Sequence, residues 1–123
     1  MSSLDRALTG DVMVFDLGAE RAAVADPAIL GRSGRNARTL LKEHGLHVTL
    51  VTVAAGGSIA EHSTDGPVSI QVLDGEVRVV AGGGEHLVKA GMLLSLAPGI
   101  PHGVTSEAGG TFLLTVRTTA AAG

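Results

Sequence analysis

Between residues 56 and 102 the chain is a series of short apolar stretches cut by turn residues, with a histidine near each end. Such close punctuation argues for many short strands in a sandwich or small barrel, and against a βαβ sheet. Val68, Ile70 and Val72 share one parity, so a strand places them on one face. Asp74 and Gly75 read as a two-residue hairpin turn, a turn that needs positive φ at both central positions, with Val77 and Val79 continuing beyond it. Gly82, Gly83 and Gly84 form the next turn, a short strand covers residues 86–89, and Gly91 punctuates before a nearly continuous apolar strand over 92–96. The segment Pro98, Gly99, Ile100, Pro101 cannot extend a ladder, because proline has no N–H to donate.

This stretch resembles the cupin family of small double-stranded β-helix, or jelly-roll, barrels. The first family pattern is Gly, five residues, His-x-His, three or four residues, Glu, six residues, Gly; Gly56, His62 and Gly75 fall in register with it. The second is Gly, five residues, Pro-x-Gly, two residues, His, three residues, Asn; Gly91, Gly99 and His102 fall in register. The resemblance covers roughly the last two-thirds of the chain and implies an all-β barrel. In family metal sites, both histidines of the first pattern, its Glu and the histidine of the second hold a divalent ion. Here Thr64 stands at the second His position, Val68 at the Glu position, Ala97 in place of the Pro and Ser106 in place of the Asn. Of the four ligands the resemblance implies, His62 and His102 remain.

At 123 residues the chain is one domain able to bury a core without staples. It has no cysteine, so neither a disulfide framework nor thiol chemistry is available, in keeping with a reducing compartment. The net charge is -3, no basic run occurs, and aromatic content is 2% with no Trp or Tyr. Phosphate-tracking stripes and base-stacking platforms are thus missing, which excludes nucleic acid as a partner. Every apolar run is too short to span a membrane, and the first residues carry no apolar core of a targeting segment, so a cytoplasmic location is expected.

Residues 1–35 read as a short, partly helical N-terminal arm, residues 36–118 as the barrel and residues 119–123 as a tail. In the arm, residues 12–15 suit an edge strand, and Asp16 suits the cap of a helix over 18–24. Asp26 and Pro27 suit the start of another helical turn, and residues 31–35 a solvated loop. Residues 36–54 read as a hairpin turning at Glu43, His44 and Gly45.

His62 and His102 are the leading candidates for chemistry, because a barrel brings them together across a long stretch of chain. Two neutral imidazoles can hold Zn²⁺, Fe²⁺, Mn²⁺ or Ni²⁺, although metal sites usually use three or four protein ligands. Alternation places Ala60, His62 and Thr64 on one face, so a ligand pocket of His62, Thr64, Val68 and His102 is expected, apolar but for one hydroxyl. Gln71 falls on the face opposite Val68, Ile70 and Val72, where it suits an inter-sheet or subunit contact. His47 is a third-ligand candidate on the face shared by Thr49 and Val51, while His44 and His86 sit at turns. Glu61 and Glu107 have the wrong parity to replace the missing carboxylate.

Three functions stay open: a barrel that binds a small molecule without firm metal; a metal-dependent enzyme of dioxygenase or isomerase type using His62 and His102; and a structural dimer whose interior is packed shut. Fold alone does not choose among them. Apolar residues make up 45% of the chain, more than a small barrel interior hides, so a homodimer is expected.

Overall fold

The computed structural model of the chain describes residues 7–118. Among the described residues two short helices, α1 (Leu17–Val24) and α2 (Pro27–Ser33), precede eight strands. These are β1 (Arg35–Glu43), β2 (Leu46–Val53), β3 (Ser58–His62), β4 (Val68–Ala81), β5 (Gly84–Lys89), β6 (Leu93–Leu96), β7 (His102–Thr105) and β8 (Gly110–Arg117). They form one curled antiparallel sheet in the order β1-β2-β8-β4-β7-β3, with β5 and β6 added along β4. The expectation of an all-β jelly-roll barrel with short helices ahead of it is met. The tail expected at 119–123 lies outside the described residues.

Strand β4 organises the barrel. Its first half pairs with β6 and β8, and its second half, from Glu76, pairs with β5 and β7. One strand thereby belongs to both walls. The hairpin expected at Asp74 and Gly75 does not form, because β4 continues through both residues without reversing. Gly75 instead takes φ +68 at a corner, where the register against β8 slips between Val72 and Asp74. Such a slip bends a strand and sharpens its twist. The carbonyl oxygen of Gly109 sits where a side chain of residue 75 would go, and it accepts the Glu76 N–H at 3.3 Å. The buried Ser106 hydroxyl locks the same corner, donating to the Glu76 carbonyl at 2.6 Å and accepting the Gly109 N–H at 2.9 Å. The reversal occurs later, at Gly82 and Gly83, whose φ values of 60 and 80 suit a two-residue hairpin.

Alternation gives each wall one apolar inner face. Val51 and Val53 of β2, Val68, Ile70 and Val72 of β4, and Phe112 of β8 are all buried there. They meet Val77, Val79 and Val104 of the other wall in one continuous core. A second, smaller cluster lies on the outer face of the first wall, where Val24 of α1 covers Leu40 and Leu50 with help from Phe15 and Leu17.

Both helices begin as read. The Asp16 carboxylate accepts the Ala19 N–H at 3.2 Å, and Asp26 accepts from Ala28 at 2.9 Å with Pro27 next to it. Helix α1 is also tied down by Glu20, paired to Arg38 of β1 at 2.6 Å. The edge strand expected at residues 12–15 does not form. Phe15 is drawn into the outer cluster, the segment crosses that face of the sheet, and Val12 and Val14 are left 86% and 91% exposed. Residues 31–35 are not a loop either. Helix α2 runs to Ser33, Gly34 closes it at φ +76, and β1 starts at Arg35.

Candidate functional site

Strands β3 and β7 lie side by side, and their register sets His62 directly opposite His102. The ring centroids are 4.4 Å apart with an interplanar angle of 58°. His102 is 2% exposed, whereas His62 faces solvent. Directly opposed residues of an antiparallel pair share one face. Val104 points into the core and is two residues from His102, so the imidazole pair belongs to the inner face of the barrel. Strict alternation would send His62 to the face opposite Ile59. A register slip between Ile59 and His62 corrects this, so Ile59, opposite Val104, and His62, opposite His102, both turn inward.

Each imidazole is oriented by the backbone two residues before it. His62 Nδ1 lies 3.1 Å from the Ala60 carbonyl, and His102 Nδ1 lies 3.0 Å from the Ile100 carbonyl. A carbonyl oxygen only accepts, so both Nδ1 atoms carry the proton. Each neutral ring then keeps a lone pair on Nε2, and a protonated ring offers a second N–H there. One ring of the pair is sealed in the interior and its neighbour is wet.

The other expected pocket residues are used differently. Val68 is 3% exposed in the core, in register with Leu96 and Val116. The Thr64 hydroxyl donates to the Gly66 carbonyl at 2.9 Å, and its own carbonyl accepts the Gly99 N–H at 2.8 Å, so it serves its turn. His47 is opposite Val116, which packs on the core, and this places it on the inner face. Gln71 is exposed on the outside. His86, at the edge of the second wall, bonds the Ala81 carbonyl at 3.1 Å through Nε2.

A firmly held divalent ion does not fit this donor set. Among the described residues no group of three His, Cys, Asp or Glu comes close enough to share an ion. Two imidazoles fall short of the three protein ligands usual in catalytic metal sites, and Val68 cannot coordinate.

Two clefts open at the edges of the core behind the histidines. One, of about 470 Å³, is bounded by Ala81, His86, Leu94, Leu96 and Ile100. Ala81 is in register with His102, and Ile100 supplies the carbonyl that orients it. The other, of about 520 Å³, opens between α2, β1 and β3, with Val51, Ile59 and Leu114 as its apolar floor. Both fall within the ordinary size of small-molecule pockets. Nothing in the linear sequence marked the second cleft, because it arises where the two ends of the strand order fail to pair.

A family model described as the cupin domain matches residues 49–116. No curated protein matches the chain. Among solved structures, a conserved protein of unknown function from Streptococcus pyogenes is 23% identical, with a TM-score of 0.72 over 90% of this chain and 91% of that one. An RmlC-like cupin from Shewanella frigidimarina is 22% identical, with a TM-score of 0.66 over 71% of this chain and 78% of that one. A variant of salicylate 1,2-dioxygenase from Pseudoaminobacter salicylatoxidans is 15% identical, with a TM-score of 0.78 over 93% of this chain and 37% of the enzyme. At these identities the likeness is one of fold.

Proposed function

The chain belongs to the cupin domain family, and on that premise we propose that its barrel binds a small organic molecule beside His62 and His102 without a resident metal ion. The observation that carries this reading is the register of β3 against β7, which sets two chain-distant imidazoles against each other on the inner face. Their Nδ1 atoms are committed to carbonyls, which leaves the Nε2 of the solvent-facing His62 ring for recognition while the buried His102 ring backs it. The clefts supply apolar surface for the body of a ligand. A metal-dependent enzyme of dioxygenase or isomerase type is disfavoured by the two missing ligands at Thr64 and Val68. A barrel packed shut is disfavoured by the clefts that flank the core.

The protein is further proposed to act in the cytoplasm as a homodimer. Leu93 and Met92, 66% and 47% exposed, supply apolar surface for such pairing. Among the described residues no helix is long and apolar enough to cross a membrane.

The test is a fragment screen followed on the imidazole Cε1–H signals of His62 and His102, with metal content measured on the same sample. Fragments that shift both rings in protein holding far less than one metal per chain are the expected result. Stoichiometric metal that disappears in His62→Ala, or a screen that moves neither ring, overturns the reading.

A further inference from the structure

We infer that the cleft at the open seam of the barrel is a site for a small amphipathic monocarboxylate, with Arg35 as its anchor. The inference deepens the small-molecule reading of the barrel and rests on it. Strands β1 and β3 are the two ends of the strand order and do not pair with each other. The inner face, sealed elsewhere by neighbouring strands, is therefore open along this seam. Val51, Leu114 and Ile59, which line the opening, contribute to or pack against the main core. Ala37 of β1 and Ile29 of α2 extend the same apolar wall outward. Buried apolar surface of this kind is ordinarily covered, and a ligand body covers it here.

The rim fixes the ligand's charge. Arg35 begins β1 and reaches across the seam, where Nη1 donates to the Ser58 carbonyl at 3.3 Å. That bond holds the guanidinium over the cleft and uses one of its five N–H groups. Among the described residues Arg35 has no carboxylate within ion-pair distance, unlike Arg21 with Asp74 and Arg38 with Glu20. The cleft lining contains no acidic residue and no second cation. Two of the other polar lining groups already have partners: Asn36 Nδ2 donates to the Val24 carbonyl at 3.1 Å, and the Ser33 hydroxyl donates to the Arg35 carbonyl at 2.6 Å; Thr49 adds a neutral hydroxyl.

A guanidinium above an aliphatic floor matches a planar carboxylate, which it grips through two parallel N–H···O bonds. With one cation and no other charged side chain in its lining, the cleft balances one negative charge rather than two. One negative charge on an apolar body is the chemistry the seam accepts.

The test compares 4-phenylbutyrate with its uncharged amide, titrated into the full chain and followed on the backbone amide signals of Ala37, Ile59 and Leu114. The acid is expected to bind about tenfold or more tightly than the amide. Arg35→Met should erase that ratio, and unchanged dispersion of the backbone amide signals of the ligand-free variant reports that it is folded. Arg35→Lys, which keeps the charge and loses the fork, should retain only part of the preference. Equal binding of acid and amide, or a preference that survives Arg35→Met, overturns the inference. Shifts confined to the rings of His62 and His102 remove the seam site and leave the barrel reading standing, whereas no shift at either place removes both.

Discussion

Replacing Gly75 with alanine should cost far more than its conformation alone explains. The residue holds φ +68, a region where a Cβ costs about 1–2 kcal/mol. An added Cβ would also overlap the Gly109 carbonyl oxygen and sit 3.0 Å from Gly110 Cα. Those atoms are backbone and cannot swing aside. Moving them strains the Glu76–Gly109 bond and the two bonds of the Ser106 hydroxyl. Losing about one of these adds about 1 kcal/mol, and the displaced corner adds a comparable amount of packing. The total is about 3–4 kcal/mol, a large share of the stability of a domain this size. Gly91→Ala is the control: it holds φ +88, yet a Cβ there meets nothing within 4 Å. It should lose only the conformational part, about 1–2 kcal/mol. Urea titration of both variants, with m-values compared, measures the difference. Equal losses in the two would refute the steric argument and leave backbone conformation as the whole cost.

Phe112→Ala should destabilise by about 3–5 kcal/mol, because a ring that is 1% exposed leaves a cavity in the middle of the core; calorimetric melting reads it. Ser106→Ala should cost about 1–3 kcal/mol by chemical denaturation, since a 4% exposed hydroxyl serves two backbone partners there. Treatment with a chelator should leave the melting temperature unchanged within about 1 °C, because a resident ion at saturation would contribute several kcal/mol.

Much of the barrel was legible because its rules are local. The shared parity of Val68, Ile70 and Val72 survives as a buried face, and Gln71 turns outward as alternation requires. Asp16 and Asp26 cap the helices with their own carboxylates. His44 and Gly45 take φ values of 49 and 85 and turn the β1–β2 hairpin. What escaped depends on partners distant in the chain. Asp74 and Gly75 carry a hairpin signal, but Gly109 and Ser106, more than 30 residues on, turn the dipeptide into a corner. The slip between Ile59 and His62 is settled by β7, and no local residue announces it. Phe15 abandons an edge strand because a pocket beside Leu40 exists only once the sheet has formed. Of the candidate site, pairing of His62 with His102 was readable; Arg35 was read as part of a loop, because the unpaired seam it spans is a property of closure.

Because a single fourteen-residue strand carries half of its length in each wall, neither wall has a complete set of neighbours of its own. A backbone cut between Asp74 and Gly75 would part β8 and β6 from the half of β4 they pair with, leaving the N-terminal fragment with the β1–β2 hairpin and unpaired strand stubs. Cleavage at this corner should therefore dismantle the first wall as a whole, and restoring it should require both fragments.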